Sequence, residues 1–347
     1  MMMRTVAVFL AVTCWGSHSL LQFASKPCHG NFATPSLLSI QMLKTKFGFD
    51  TVTNRKLESF EVDILQPPQQ INLPWSNSIE NSKKLSYMPM LNFQLQLIKS
   101  MGMEQIPLDE SFIHRKSAVK TARIGSMSFR NDKFRKVRMT YFDAGDNVQV
   151  FNTLWYPSYE YDAPLLGVDL ISLGKNRVLS VIDFQPLYPT TEYHDKHIEH
   201  LTSIRQKYPE LHGTLSGKIY DDTSFFSKNM LFGRFKDESQ VDSVVLPAFQ
   251  EYLERYLSSV NACIPNSSEE SMNAVKKRQQ DYDIYSALKD PAVGLFEAYF
   301  GKEWSDSFVH DFLFSLCRNS PVVNVPVHQY KIDDVTGAVK PVPLSKN

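Results

Sequence analysis

Four stretches of strand-like residues follow one another between positions 136 and 184, separated by connections too short to hold a helix. The first, Lys136–Phe142, alternates polar and apolar side chains with the two-residue period of a half-buried strand. Asp143–Asn147 contains Gly145 and Asn147, which tolerate the dihedrals of a tight turn, and Val148–Tyr156 returns as the second strand. A loop running to Pro164 leads to Leu165–Leu173, the turn Gly174–Asn176 follows, and Arg177–Phe184 closes the set. Parallel neighbours need crossovers of about a dozen residues or more. These strands therefore form an antiparallel meander.

Helical patterns surround the meander. Met90, Leu91, Phe93, Leu95, Leu97 and Ile98 place an amphipathic helix over Met88–Met101, ended near Gly102. A basic connecting region separates it from the first strand. After the meander come a helix at about Asp195–Tyr208 and a strand at Met230–Phe235. Then follow helices at Val244–Ala262, Glu269–Leu288, Ala292–Phe300 and Trp304–Leu316. One antiparallel sheet flanked by helices from both ends of the chain makes an α/β/α sandwich. The expected organisation is a leader over 1–45, a poorly structured lead-in rich in Pro, Gln, Asn and Ser over 46–84, one domain over 85–322, and an extended tail over 323–347.

Arg4 precedes an apolar run, Thr5–Ser17, too short to span a bilayer, and no acidic residue occurs before Asp50. A signal-like segment followed by a transit-like one, with Phe23 at the junction, resembles the bipartite leaders that direct proteins to complex plastids. Secretion is the competing reading. It fits less well, because only Cys263 and Cys317 lie beyond the leader, and a disulfide between them is disfavoured in a reducing compartment. With 37 basic and 37 acidic side chains the chain is neutral overall, which argues against a general nucleic-acid binder. No membrane partner is expected for the mature domain.

Two acids stand out. Asp169 interrupts the apolar run Pro164–Ile171, and a carboxylate there is costly to ionise, so it becomes a candidate proton donor. Asp290 lies just before Pro291, close to Tyr282 and Tyr285, at the mouth of an apolar helical segment. Asp183, at a strand end, and Asp143, in a turn, read as structural. His194, His197 and His200 could present two ligands on one helical face, but a solvated helix start explains them better, and no metal is expected. No Gly-x-Gly-x-x-Gly, Walker loop or nucleophile elbow appears. The aromatic content, 23 Phe and 15 Tyr, suits either a flat conjugated ligand or ordinary core filling. The basic cluster from Arg115 to Arg138, including Arg130, Lys133, Arg135 and Lys136, reads equally as a solvated edge or as a docking face for an acidic protein.

Several of these segments together resemble the ferredoxin-dependent bilin reductases over about Met88–Leu316. They are Phe142–Gly145, Val148–Asn152, Tyr161–Leu170, Asp183–Leu187, Phe225–Ser227 and Tyr282–Leu295. Phycocyanobilin-forming members of that family carry Glu and His where this chain has Thr140 and Asn152. Those that take 15,16-dihydrobiliverdin onward to phycoerythrobilin typically have Arg where Ser286 stands. The resemblance is thus nearest to members that reduce the C15=C16 bond of biliverdin IXα.

The resemblance implies biliverdin IXα held between the sheet and the C-terminal helices, with no bound cofactor. Single electrons would come from reduced [2Fe-2S] ferredoxin, through a bilin radical. It implies Asp169 as the group that protonates the bilin, Asp290 as the second donor near the C15 bridge, and Asn152 as a partner of the ring lactams. Arg234 would pair with propionates, and Arg130, Lys133, Arg135 and Lys136 would form part of the ferredoxin face. The next bilin reductase of the pathway would be a further partner. Open alternatives are the sister reductase producing phycoerythrobilin, a phytochromobilin-type synthase, and a carrier that binds bilin without turnover.

Overall fold

In the computed structural model, residues 85–213, 225–290 and 292–318 are described, together with two short paired strands at Gln329–Ile332 and Val339–Val342. The leader, the lead-in and most of the tail lie outside the described residues. Helix α1 (Met88–Ser100) carries Pro89 in its first turn, where a missing N–H costs nothing, and buries Met90, Leu91, Leu95 and Ile98. Short strand β1 (Glu104–Gln105), one-turn helix α2 (Glu110–Ile113) and strand β2 (His114–Lys116) lead to β3 (Arg123–Arg130). The meander follows as β4 (Phe134–Asp143), β5 (Val148–Pro157), β6 (Leu165–Leu173) and β7 (Val178–Gln185). Strand β8 (Leu231–Phe235) adds to β7, completing an eight-stranded antiparallel sheet in the order β1-β3-β4-β5-β6-β7-β8, with β2 also paired to β3.

The β4–β5 turn has the chemistry expected of it. Gly145 adopts φ 62°, a left-handed conformation that glycine accepts without strain, and its N–H donates to Asp143 Oδ1 at 2.9 Å. Asp143 is more than a turn residue: it also pairs with Arg123, its register partner on β3, at 3.0 Å.

Strand β3 corrects the expectation of a basic connecting region. Arg123, Gly125, Ser126 and Ser128 disguise it as a loop, yet all but its last residue are buried. Ser126 and Arg123 are met across the sheet, Ser126 Oγ by Thr140 Oγ1 at 3.0 Å and Arg123 by Asp143. Because β3 pairs along β4, β4 is an interior strand, and the basic residues on it do not protect an edge.

The helix expected at about 195–208 is also different. It begins earlier as α3 (Thr191–His197), capped by Thr190 Oγ1 accepting from Tyr193 N at 3.3 Å, and continues through a 3-10 turn into α4 (Thr202–Arg205). Ile198, Leu201 and Ile204 are all buried, and their spacing of three matches the 3-10 period. His197 is buried against the Tyr193 ring, with centroids 4.5 Å apart, and burial pulls its pKa down to about 4. Among the described residues, no three His, Cys, Asp or Glu side chains are grouped so as to hold a metal.

Helix α5 (Leu246–Ala262) packs with α1 against one face of the sheet, where Phe249, Tyr252 and Tyr256 meet Phe151, Trp155 and Phe184. The opposite face is covered by α6 (Glu269–Lys289), α7 (Ala292–Phe300) and α8 (Lys302–Ser307). There Phe142 packs edge-on to Tyr299 at 5.1 Å, and Trp304 stacks on Phe308 at 4.5 Å. The sequence places one continuous helix at Trp304–Leu316; instead a π-helical turn, Phe308–Leu313, follows α8. The helix ends at Leu313, and its last carbonyls, those of Phe312 and Leu313, accept hydrogen bonds from Lys136 and Arg138. The result is the α/β/α sandwich expected from the sequence.

Candidate active site

Strands β5 and β6 set Asn152 directly opposite Asp169, and β4 sets Thr140 opposite Asn152. Val168 and Leu170, the chain neighbours of Asp169, point into the core beneath α5, so the pleat turns Asp169 toward the C-terminal helices. That is why a carboxylate sits within an apolar run. Asn152 Nδ2 donates to Asp169 Oδ1 at 3.2 Å, and Asn152 Oδ1 in turn accepts from Arg138 Nη1.

Asp290 arrives from the other layer. It ends α6 in an extended conformation (φ −64°, ψ 114°), as expected of a residue preceding proline. Its Oδ1 accepts from Ala292 N at 2.8 Å, so the same carboxyl also caps α7.

Two adjoining clefts lie between sheet and helices, and Asn152, Asp169 and Asp290 line both. One, about 620 Å³ measured to its open mouth, has Arg138 and Gly167 on its floor, Tyr282 and Ser286 as its roof, and Phe225 and Phe226 on one wall. The other, about 570 Å³, is more apolar and is bounded by Thr140, Val150, Ile171, Leu295 and Phe296. The acids stand at the junction, so an elongated ligand threaded through both clefts has its middle over them.

Their surroundings favour the protonated forms. Burial lifts the Asp169 carboxyl to about 7, aided by the nearby Asp290 carboxylate and opposed by the Asn152 hydrogen bond and the Arg138 charge. Asp290 is raised as well, chiefly by burial, against its hydrogen bond from Ala292 N and the Arg138 charge. Both side chains keep some accessible surface, but that surface faces the clefts, and protein surrounds them elsewhere. An acid poised near neutrality, as Asp169 is, can donate a proton to a ligand at working pH.

The walls are built from long-range contacts. Tyr282 Oη donates to Gln185 Oε1 at 2.6 Å, and Gly167 lies so close to that glutamine that a Cβ there would fall 2.5 Å from Oε1. Asp183 is fully buried and receives Ser227 N at 2.8 Å and Ser227 Oγ at 2.5 Å, which anchors the segment carrying Phe225 and Phe226. Asp183 is therefore structural, as the sequence suggests, but it supports the cleft wall directly.

The remaining candidates separate. Arg234 is exposed on β8, on the same sheet face as the clefts by its register with Leu179, but it lines neither of them. Arg130 is exposed and pairs with Glu104 at 3.1 Å, and Lys133 Nζ donates to Asn261 Oδ1 at 2.6 Å. Arg135 and Lys136 turn inward at the irregularity between Phe134 and Lys136. Arg135 reaches Gln279 Oε1 and lies over the Tyr156 ring at 4.2 Å. Lys136 bonds the Phe312 carbonyl, and burial lowers its pKa to about 7. The four residues thus do not form one solvent-facing patch.

Sequence reasoning missed Arg138 as a site residue. Asp283 is buried but lines neither cleft, and accepts from Tyr156 Oη at 2.7 Å and Leu316 N at 3.0 Å. The alternation of β4 alone could have flagged Arg138, since it shares a face with Thr140 rather than with Val137 and Met139.

A family model for the ferredoxin-dependent bilin reductases matches residues 92–315, from within α1 to just past the π-helical turn. The 15,16-dihydrobiliverdin:ferredoxin oxidoreductase of Nostoc punctiforme is 40% identical over 231 residues, 66% of this chain and 94% of its own. Its counterpart from Gloeobacter violaceus is 37% identical over 231 residues, again 66% of this chain and 94% of its own. Among solved structures, tomato phytochromobilin synthase in complex with biliverdin has the same fold. It gives a TM-score of 0.61 at 22% identity, over 66% of this chain and 83% of that one. The matched span holds the whole meander, both clefts and both acids, and the chain belongs to the ferredoxin-dependent bilin reductase family.

Proposed function

We propose that this protein reduces the C15=C16 bond of biliverdin IXα to give 15,16-dihydrobiliverdin, taking two electrons from ferredoxin. The observation that carries the reading is the meeting of Asp169 and Asp290, both with raised proton affinity, at the junction of two clefts. Similarity to the 15,16-dihydrobiliverdin:ferredoxin oxidoreductases over nearly their full length supports the choice of bond.

The reaction needs two electrons and two protons. Reduced [2Fe-2S] ferredoxin delivers electrons singly, and the conjugated tetrapyrrole accepts each without a bound cofactor, so a bilin radical lies between the two transfers. The protein's share is geometry and protons. Asp169 protonates the bilin, Asp290 serves C15 as the second donor, and Asn152 holds the ring lactams with the amide that also reaches Asp169. Propionates extending beyond the cleft mouth are within the province of Arg234 and other surface cations. Ferredoxin approaches over exposed basic residues that include Arg130 and Lys133. The leader directs the chain to a plastid, and the product passes to a second reductase.

The test is an anaerobic reaction of the protein with biliverdin IXα and reduced ferredoxin, products separated by chromatography. Accumulation of 15,16-dihydrobiliverdin is expected. A different bilin would overturn the assigned bond, and a binding shift with no turnover would make the protein a carrier.

A further inference from the structure

Arg138 is 2% exposed, yet it lines the first cleft. A buried guanidinium ordinarily takes a carboxylate partner, because an uncompensated charge in a low dielectric is costly. Arg138 instead has two neutral acceptors, the Leu313 carbonyl at 2.9 Å from Nε and the Asn152 Oδ1 atom, with its guanidinium 5.3 Å from the Phe314 ring. No described carboxylate is in ion-pair contact with it. Its bond to Asn152 has a second effect: with Oδ1 occupied, the amide must present its NH₂ group to Asp169.

We propose that Arg138 is a positioning residue, the counter-charge for the carboxylate left when Asp169 or Asp290 gives up its proton. This rests on the reading of the two acids as proton donors. When the O–H bond of Asp169 breaks, its proton goes to the reduced substrate, whose electrons came from ferredoxin, and the bonding pair stays on the carboxylate. That new anion faces the NH₂ of Asn152, which the guanidinium fixes in place. The positive charge matters only after transfer, so it favours the step without requiring a salt bridge beforehand.

Few other groups compete. Around the pair, the charged and titratable groups among the described residues are Arg138 from β4, Tyr282 and Tyr285 from α6, Tyr87 ahead of α1, and the acids themselves. Arg138 opposes burial at both carboxyls and, among the described residues, is the one cation that acts on the two together.

The experiment compares full-length wild type with Arg138→Gln and Arg138→Lys, measuring biliverdin turnover with reduced ferredoxin against pH. Arg138→Gln is expected to slow turnover at neutral pH and to move the alkaline limb of the profile upward by about one pH unit or more. Arg138→Lys, which keeps the charge, is expected to restore the limb. A folded Arg138→Gln whose rate falls equally at every pH, with the limb unmoved, overturns the proposal. Should Arg138→Gln not fold, Asn152→Leu carries the test: its limb must also rise, and an unmoved limb overturns the proposal. Carbon-13 NMR titration of the aspartate carboxyls in the ligand-free proteins separates two failures. Loss of wild-type turnover refutes the assigned reaction, whereas carboxyls that titrate identically in wild type and Arg138→Gln refute the role of Arg138.

Discussion

Replacing Asp169 by asparagine is expected to stabilise the protein while abolishing its chemistry, and the size of the gain follows from the site. The carboxyl is lifted from 3.8 to about 7, chiefly by burial. At about 1.36 kcal/mol per pH unit, that rise costs the native state about 4 kcal/mol once the group is ionised, an upper bound because the cleft admits water. The sign is fixed by proton counting. Between about pH 4 and pH 7 the folded protein holds a proton that the unfolded chain has released. Wild-type stability therefore falls as pH rises through that window and levels off above it. The substituted amide has nothing to ionise and still offers an oxygen to Asn152, so the Asp169→Asn variant lacks this slope. Urea unfolding at pH 4 and pH 8 checks it: the two proteins should be nearly equal at pH 4, with the variant more stable at pH 8 by up to about 4 kcal/mol. A stability difference independent of pH, or a variant weaker at pH 8, would refute the burial argument.

Other perturbations test the walls and the approach. Gly167→Ala forces Gln185 away from Tyr282 and should cost about 1–3 kcal/mol, with weaker biliverdin binding in an absorbance titration; unchanged stability and affinity would show that the contact is dispensable. Asp183→Ala leaves the N–H and hydroxyl of Ser227 without their buried acceptor and should cost about 1–3 kcal/mol in a denaturant melt. An Asp183→Ala protein as stable as wild type would remove the anchor from the account. Reversing Arg130 and Lys133 to Glu should slow ferredoxin-driven turnover mainly below about 0.1 M salt, where screening extends over roughly 10 Å or more. A salt profile identical to wild type would rule these residues out of docking.

Much of this was legible in the chain because local pattern and tertiary role agreed. The two-residue period and short turns dictated the meander, and Asp290 before Pro291 marked the break between α6 and α7. Asp169 was visible as a carboxylate in an apolar run because its neighbours face the opposite core. Strand β3 was hidden because Arg123 and Ser126 find their side-chain partners across the sheet on β4, which local propensity does not register. Arg135, Lys136 and Arg138 looked like a solvated row for a related reason. Their partners are remote, as with the Leu313 carbonyl 175 residues from Arg138, and depend on a π-helical turn that no local signal announces. Arg234 lines neither cleft because β8, on which it lies, is the last strand of the sheet.

The claim that protein acids complete the reduction is tested most directly by anaerobic reaction of Asp169→Asn with biliverdin IXα and reduced ferredoxin, followed by electron paramagnetic resonance and absorbance. The account predicts that the variant binds biliverdin and accepts an electron, then holds an organic radical without releasing 15,16-dihydrobiliverdin. Formation of that product at the wild-type rate, with no persistent radical, would contradict it.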